Sequence, residues 1–323
     1  MTSTIPIETP QPLLPSRKAT FLYKLKRCLA AAVTIYIVLL TVLYLNQRML
    51  IFPGGHRQSA AIDRRLAETN LLRIDGIKGP VEEVELSTPA GQHIAALYAP
   101  ALMPRGAPDT RAAARPTVIY FYGNGSSIED SGPFVQRLRE HGVNVLVPDY
   151  VGYGYSDGEP SEAGCYASAT AAYDYIAERR RIPAGRIVLM GRSLGTGVAI
   201  DLASRRPSAG LITISAYTSM AEMACHDYPF VPLAIGNLLL EHKFLSEAKL
   251  RRVPCPLMII HARDDIRVPF SMSGRLATAA RGPVTKIDVP SGGHNFVLDI
   301  GGQPLYAAMA RFAYRTSRIP QPR

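Results

Sequence analysis

The stretch Arg186-Ile187-Val188-Leu189-Met190-Gly191-Arg192-Ser193-Leu194-Gly195-Thr196-Gly197-Val198-Ala199 decides the reading of this chain. It opens with a short apolar run, the pattern of a parallel strand covered on both faces. It continues from Leu194 to Arg205 as a helical run. Between the two lies Gly191-Arg192-Ser193-Leu194-Gly195, a GxSxG pattern. A serine so placed sits on a sharp turn from strand to helix, and its hydroxyl projects beside the positive end of the helix. The flanking glycines let strand and helix approach closely.

Further apolar runs surround this unit. Thr117 to Tyr122, Asn144 to Pro148, Leu211 to Ser215, Pro256 to His261 and Lys286 to Val289 read as strands, with Glu82 to Ser87 and His93 to Tyr98 as a hairpin. Helical patterns run over Ser161 to Arg180 and Leu305 to Arg315. Strands alternating with helices predict an α/β fold, a mostly parallel, doubly wound sheet flanked by helices. Tyr217 to Val253 interrupts the alternation with apolar segments such as PFVPLAIGNLLL, and we expect a small helical lid at about 217–253.

Leu29 to Leu45 carries no charge, and with Cys28 it gives a helix of roughly 27 Å, enough to cross a hydrocarbon core. No small-x-small cleavage site follows it, so 28–45 reads as an uncleaved transmembrane anchor. Lys and Arg before it favour a cytoplasmic amino terminus and an extracytoplasmic domain, although Arg48, Arg57, Arg64 and Arg65 weaken that bias. Residues 1–20, rich in Pro, Ser and Thr, read as a disordered tail, and 50–318 as the folded domain.

The net charge of +10 raises the question of an anionic partner. The basic residues are scattered and not interleaved with aromatics, which speaks against nucleic acid. The 26 glycines and 26 prolines show no period, so collagen-like and low-complexity readings fail. Four cysteines without a CxxC pair exclude a zinc ribbon or dense disulfide framework; Cys225 and Cys255 could bridge, but buried free thiols are the simpler reading. No metal or organic cofactor is implied.

A second GxSxG, Gly154-Tyr155-Ser156-Asp157-Gly158, is followed at once by Glu159-Pro160, so Ser156 reads as a turn serine and Ser193 as the nucleophile. A serine needs a base, and the base an orienting carboxylate; on this kind of turn the chain order is Ser, acid, His. His294, in a Gly-rich loop before the last helix, satisfies that order. His226 and His242 read as surface or lid-packing residues. Asp264 and Asp265 both follow the strand ending at His261, where sites in open α/β sheets are built, and spacing does not choose between them. An oxyanion hole needs two backbone donors. The amide of Leu194 and one from Gly123-Asn124-Gly125-Ser126 are the candidates.

Together these residues resemble the α/β-hydrolase superfamily. Within it, NQRMLIFPGG, YFYGNGSS, PDYVGYGYSDGEPSEAG, RIVLMGRSLGTGVA, PCPLMIIHARDDIRVP and GGHNF are most similar to single-pass, membrane-anchored serine hydrolases that include lipid hydrolases and depalmitoylases. The resemblance implies Asp265 as the acid, because His261, Asp265 and Val268-Pro269 fall on the family's pattern. It places the oxyanion loop on Tyr122-Gly123-Asn124, with Tyr122 where His is usual and Ala262 where Gly is usual. The expected function is cleavage of esters or thioesters of hydrophobic acyl groups, near membrane lipid, by Ser193, His294 and Asp265 with the Leu194 and Asn124 amides. A peptidase on the same fold and a catalytically dead binding module are the alternatives.

Overall fold

The computed structural model describes residues 17–57, 74, 76–103, 107, 109 and 111–321. The chain divides into two units, one ending at Asn46 and one beginning at Gln47. The described part of the first is helical throughout and belongs to α1 (Arg17–Ile51), whose last turn lies in the second unit. Residues 17–20 are therefore helix, not tail; the rest of the expected tail lies outside the described residues. The helix over Phe21–Ile51 is long and apolar enough to cross a membrane; its most apolar 18-residue stretch has a mean hydropathy of 2.5, and the helix itself continues past the expected 28–45 at both ends. Three of its polar side chains bond to carbonyls of their own helix. Thr34 and Thr41 hydroxyls donate to the carbonyls of Ala30 and Ile37 at 2.9 Å, and Asn46 Nδ2 to Val42 at 2.8 Å. Such bonds leave fewer polar groups unsatisfied in hydrocarbon.

Among the described residues, the second unit is built on eight strands: β1 (Glu82–Ser87), β2 (His93–Ala99), β3 (Thr117–Phe121), β4 (Asn144–Pro148), β5 (Ile187–Arg192), β6 (Gly210–Ile214), β7 (Leu257–Ala262) and β8 (Val284–Val289). Their order is β1-β2-β4-β3-β5-β6-β7-β8. Only β2 runs against its neighbours; every pair from β4 to β8 is parallel. The central strands β3, β4 and β6 are buried at every residue, as a sheet with helices on both faces requires. At the edges, β1 alternates buried and exposed residues, and β8 carries Lys286, which discourages pairing with another chain.

The helices are α2 (Gly132–Glu140), α3 (Glu162–Asp174), α4 (Leu194–Arg205), α5 (Met220–Asp227), α6 (Leu233–Leu239), α7 (Ser246–Leu250), α8 (Ser271–Ala279) and α9 (Val297–Thr316). Ser161 caps α3, its hydroxyl accepting the Gly164 amide at 3.0 Å. The predicted continuation to Arg180 is instead a wider π turn over Tyr175–Arg179. Helix α9 starts eight residues before the predicted Leu305 but bends at Gly302 (φ +51°), so the predicted segment is its straight second half. The expected lid region holds α5, α6 and α7. Cys28, Cys165, Cys225 and Cys255 are all free, so the Cys225–Cys255 bridge does not form.

Candidate active site

Ser193 lies between the end of β5 and the first residue of α4, with φ +50° and ψ −121°. That left-handed conformation costs a non-glycine residue of order 1–3 kcal/mol and persists only where its surroundings enforce it. Here β6 enforces it: the Ser193 amide donates to the Ile214 carbonyl at 2.9 Å. The flanking glycines are required by space. A Cβ on Gly191 would lie 2.2 Å from the Gly195 carbonyl oxygen, and one on Gly195 would lie 2.0 Å from the Phe121 oxygen. The competing Ser156 is buried in a turn, where its hydroxyl accepts the Ala95 amide at 3.0 Å.

The fold brings three distant side chains together. His294 Nε2 lies 2.9 Å from Ser193 Oγ, and its Nδ1 lies 2.9 Å from Asp265 Oδ2. The two contacts bridge 101 and 29 residues of chain. The carboxylate is the proton acceptor, so Nδ1 carries the hydrogen and Nε2 faces the serine hydroxyl as acceptor. Asp265 Oδ1 accepts the amides of Arg267 (3.0 Å) and Val268 (2.9 Å), so the carboxylate cannot rotate without losing both. Burial of this side chain raises its pKa, but hydrogen bonds from His261, His294 and the Val268 amide outweigh it. The carboxyl is held far below the usual carboxylate range.

Between the two candidate acids the structure makes the choice. Asp265 faces the histidine. Asp264 is exposed, yet it is not idle: its carboxylate accepts the amides of Gly292 (3.2 Å) and Gly293 (2.8 Å), the two residues before His294. Two more supports escaped the sequence reading. Arg192, the first of the two unspecified residues of the GxSxG pattern, donates through Nη2 to the carbonyls of His294 (3.3 Å) and Asn295 (3.0 Å). His261 is fully buried; its Nε2 lies 2.9 Å from the Val268 carbonyl and 3.4 Å from Asp265 Oδ2, so it carries a hydrogen there and backs the carboxylate. No local signal marks the role of Arg192, which is defined by what its side chain reaches across the fold; His261 acts on residues four and seven positions further along its own turn. The lid-region histidines fall as expected: His226 Nε2 contacts the Ile266 carbonyl at 2.8 Å, and His242 packs edge-on to Phe52.

The Gly123-Asn124 loop crosses directly over the serine. A Cβ on Gly123 would sit 3.4 Å from Ser193 Cβ and 4.0 Å from its Oγ. The Leu194 amide is the first of α4, where no intrahelical acceptor exists. Tyr122, standing where the family usually has His, donates its hydroxyl to buried Asp149 Oδ1 at 2.7 Å. Asp149 also accepts the amides of Ile128 and Tyr155, both at 3.1 Å, and so ties both ends of this loop to the turn after β4. Burial raises its pKa, the three donors pull it back, and the result is about 7.

Among the described residues, no group of three or more His, Cys, Asp or Glu is placed to hold a metal ion. A cavity of 840 Å³ lined by Arg186, Arg315 and Arg318 includes none of the residues around Ser193, and it is the geometry of the chemistry rather than cavity size that locates the site.

The family model for serine aminopeptidase, S33, matches residues 112–245. An uncharacterized protein of Mycobacterium tuberculosis is 32% identical over 305 residues, spanning 92% of this chain and 99% of its own. A solved α/β hydrolase of Vibrio vulnificus superposes with a TM-score of 0.61 at 21% identity, over 80% of this chain and 89% of that one. The chain belongs to the α/β-hydrolase superfamily. The fold of this hydrolase is also similar to an esterase of Pyrococcus furiosus, with a TM-score of 0.59 at 18% identity over 76% of this chain and 99% of that one.

Proposed function

We propose that this hydrolase is a serine esterase or thioesterase that works through an acyl-enzyme. Ser193 Oγ attacks the substrate carbonyl while His294 Nε2 takes its proton. The oxyanion that forms is bound by the amides of Leu194 and Asn124. Collapse expels the alcohol or thiol, which receives the proton from His294. Water then repeats the sequence with His294 as base and releases the acid. Asp265 keeps Nδ1 protonated and offsets the charge of the imidazolium. The observation that carries this reading is the hydrogen-bonded line Ser193–His294–Asp265, with 2.9 Å at each link.

A hydrophobic acyl substrate is favoured by exposed apolar residues on the lid and on the loops that carry the acid and the base: Phe230, Leu233, Leu238, Ile266 and Phe296. Such groups suit a lipid-like chain. The apolar helix ahead of Gln47 would anchor the enzyme to a membrane, with the hydrolase domain outside the cytoplasm if the positive charges before it set the orientation. The serine aminopeptidase description of the matching family model favours a second reading, an amidase acting on amino-acyl groups with the same residues.

The test is the purified full chain in detergent against p-nitrophenyl esters of graded acyl length, an acyl thioester and an amino-acyl amide, with Ser193→Ala as control. We expect wild-type labelling by a fluorophosphonate and ester turnover rising with chain length, both lost in the variant. Full activity in Ser193→Ala overturns the proposal; faster amide than ester turnover transfers it to the second reading.

A further inference from the structure

The stretch Gln47 to Gly55, where α1 ends, has no part in the chemistry above, yet it is anchored at several points near the site. Phe52 is fully buried, with its ring 5.0 Å from His242 and 6.1 Å from Phe244. Gln47 Oε1 accepts the Glu241 amide at 2.9 Å, and Arg48 pairs with Glu159. Its tip meets one residue of the loop over Ser193. The Gly54 amide donates to the Asn124 carbonyl at 2.9 Å, and Asn124 Nδ2 donates to the Ile51 carbonyl at 3.3 Å. Tyr153 supplies a second donor to the same Asn124 carbonyl at 3.1 Å.

We propose that Ile51–Gly55 is a positioning strap for the oxyanion site, holding Asn124 by its carbonyl and its side chain so that its amide keeps its aim at the substrate oxygen. The inference rests on the reading of Leu194 and Asn124 as the oxyanion donors. A loop residue that binds an oxyanion through its backbone needs contacts from outside the loop to fix that amide. Rotating its peptide groups by a few tens of degrees would turn the donor aside. Here two hydrogen bonds from outside the loop fix the carbonyl, and a third fixes the side chain. All are directed at the residue whose amide would act. Gly54 is glycine for the same reason. A Cβ there would lie 2.7 Å from the Asn124 carbonyl oxygen and 2.6 Å from Tyr153 Cε1, so any side chain pushes the strap off the carbonyl it holds. Because the chain enters this strap directly from the apolar helix, the segment nearest the proposed anchor becomes part of the catalytic geometry.

The experiment compares the full chain with Gly54→Ala, Tyr153→Phe and Asn124→Ala. The last two remove one bond each without adding bulk, and they decide the matter if Gly54→Ala fails to fold. Readouts are kcat and KM on a p-nitrophenyl ester and the inhibition constant of an alkyl trifluoromethyl ketone, whose adduct with serine carries an oxyanion. We expect kcat to fall about tenfold or more in Gly54→Ala and about threefold to tenfold in the other two, with KM unchanged. Ketone affinity should weaken in parallel. A general loosening of the fold would not single out the oxyanion-bearing inhibitor. Wild-type kcat and ketone affinity in Tyr153→Phe and Asn124→Ala overturn the strap. Activity retained by Ser193→Ala would instead overturn the underlying assignment.

Discussion

Replacing Asp265 by Asn tests the core of the site, because the structure dictates which way the new amide must face. Oδ1 of Asp265 accepts two backbone amides, from Arg267 and Val268, while Oδ2 faces the two imidazoles. In Asp265→Asn the carboxamide oxygen must stay with the backbone amides. Turning it around would leave two donors unpaired, at about 1–3 kcal/mol each, or roughly 2–6 kcal/mol together. The NH2 group therefore points at His294 Nδ1 and makes it an acceptor, which moves the ring hydrogen to Nε2, opposite Ser193 Oγ. In that tautomer the ring cannot take the serine proton. At 1.4 kcal/mol per tenfold, the productive arrangement falls to between about 1 in 30 and about 1 in 10⁴, and kcat should fall by roughly 30-fold to 10⁴-fold with little change in KM. The assay is ester turnover, with Ser193→Ala as the floor and the urea midpoint as a check on folding. An Asp265→Asn protein that is folded and keeps more than about a tenth of wild-type kcat would refute the tautomer argument and the assignment of His294 as base.

Asp264→Ala removes the acceptor for Gly292 and Gly293 and should lower kcat about tenfold at unchanged KM, which steady-state kinetics would register; no effect would mean that the loop holds His294 unaided. Gly195→Ala, whose Cβ would sit 2.0 Å from a strand carbonyl, should destabilise the fold by more than about 3 kcal/mol or prevent soluble expression, as urea unfolding would reveal. The pH dependence of stability should carry the mark of Asp149. Its folded pKa of about 7 lies above the unfolded value of about 3.9, so its contribution is present at low pH and is lost as pH rises through the folded value. Relative to Asp149→Asn, the wild type should lose roughly 2 kcal/mol between about pH 5 and about pH 7; a pH-independent difference would place that carboxyl outside this range. Asp265 acts in the opposite sense, but its stabilisation is complete above about pH 5 and does not mask the effect.

The strand-turn-helix around Ser193 was readable because every signal it needs is local: an apolar run, two glycines and a helical pattern within a score of residues. The central strands were readable for a similar reason, since burial on both faces demands unbroken apolar runs such as those of β3, β4 and β6. Helices α2 and α8 were not. Neither begins with a side-chain cap, and the short GPFVQRLRE and SMSGRLATA segments are held by the sheet they cover more than by their own pattern. The basic start of α1 was likewise mistaken for tail, because helix propensity in Arg17-Lys18 is weak evidence beside a Pro- and Ser-rich neighbourhood.

From sequence alone came the class of fold, the strained serine, the chain order that singled out His294, and an apolar helix ahead of the domain, because these are properties of neighbouring residues and of periodicity. The residue patterns left Asp264 and Asp265 equivalent. They are adjacent, equally acidic and at the end of the same strand; it is the turn after β7, with two amides trained on one carboxylate, that sends Asp265 inward and Asp264 to the His294 loop. The roles of Arg192 and the Ile51–Gly55 strap belong to tertiary structure for the same reason. Each rests on hydrogen bonds between segments that only the folded sheet brings within 3.5 Å, and no local pattern encodes the partner.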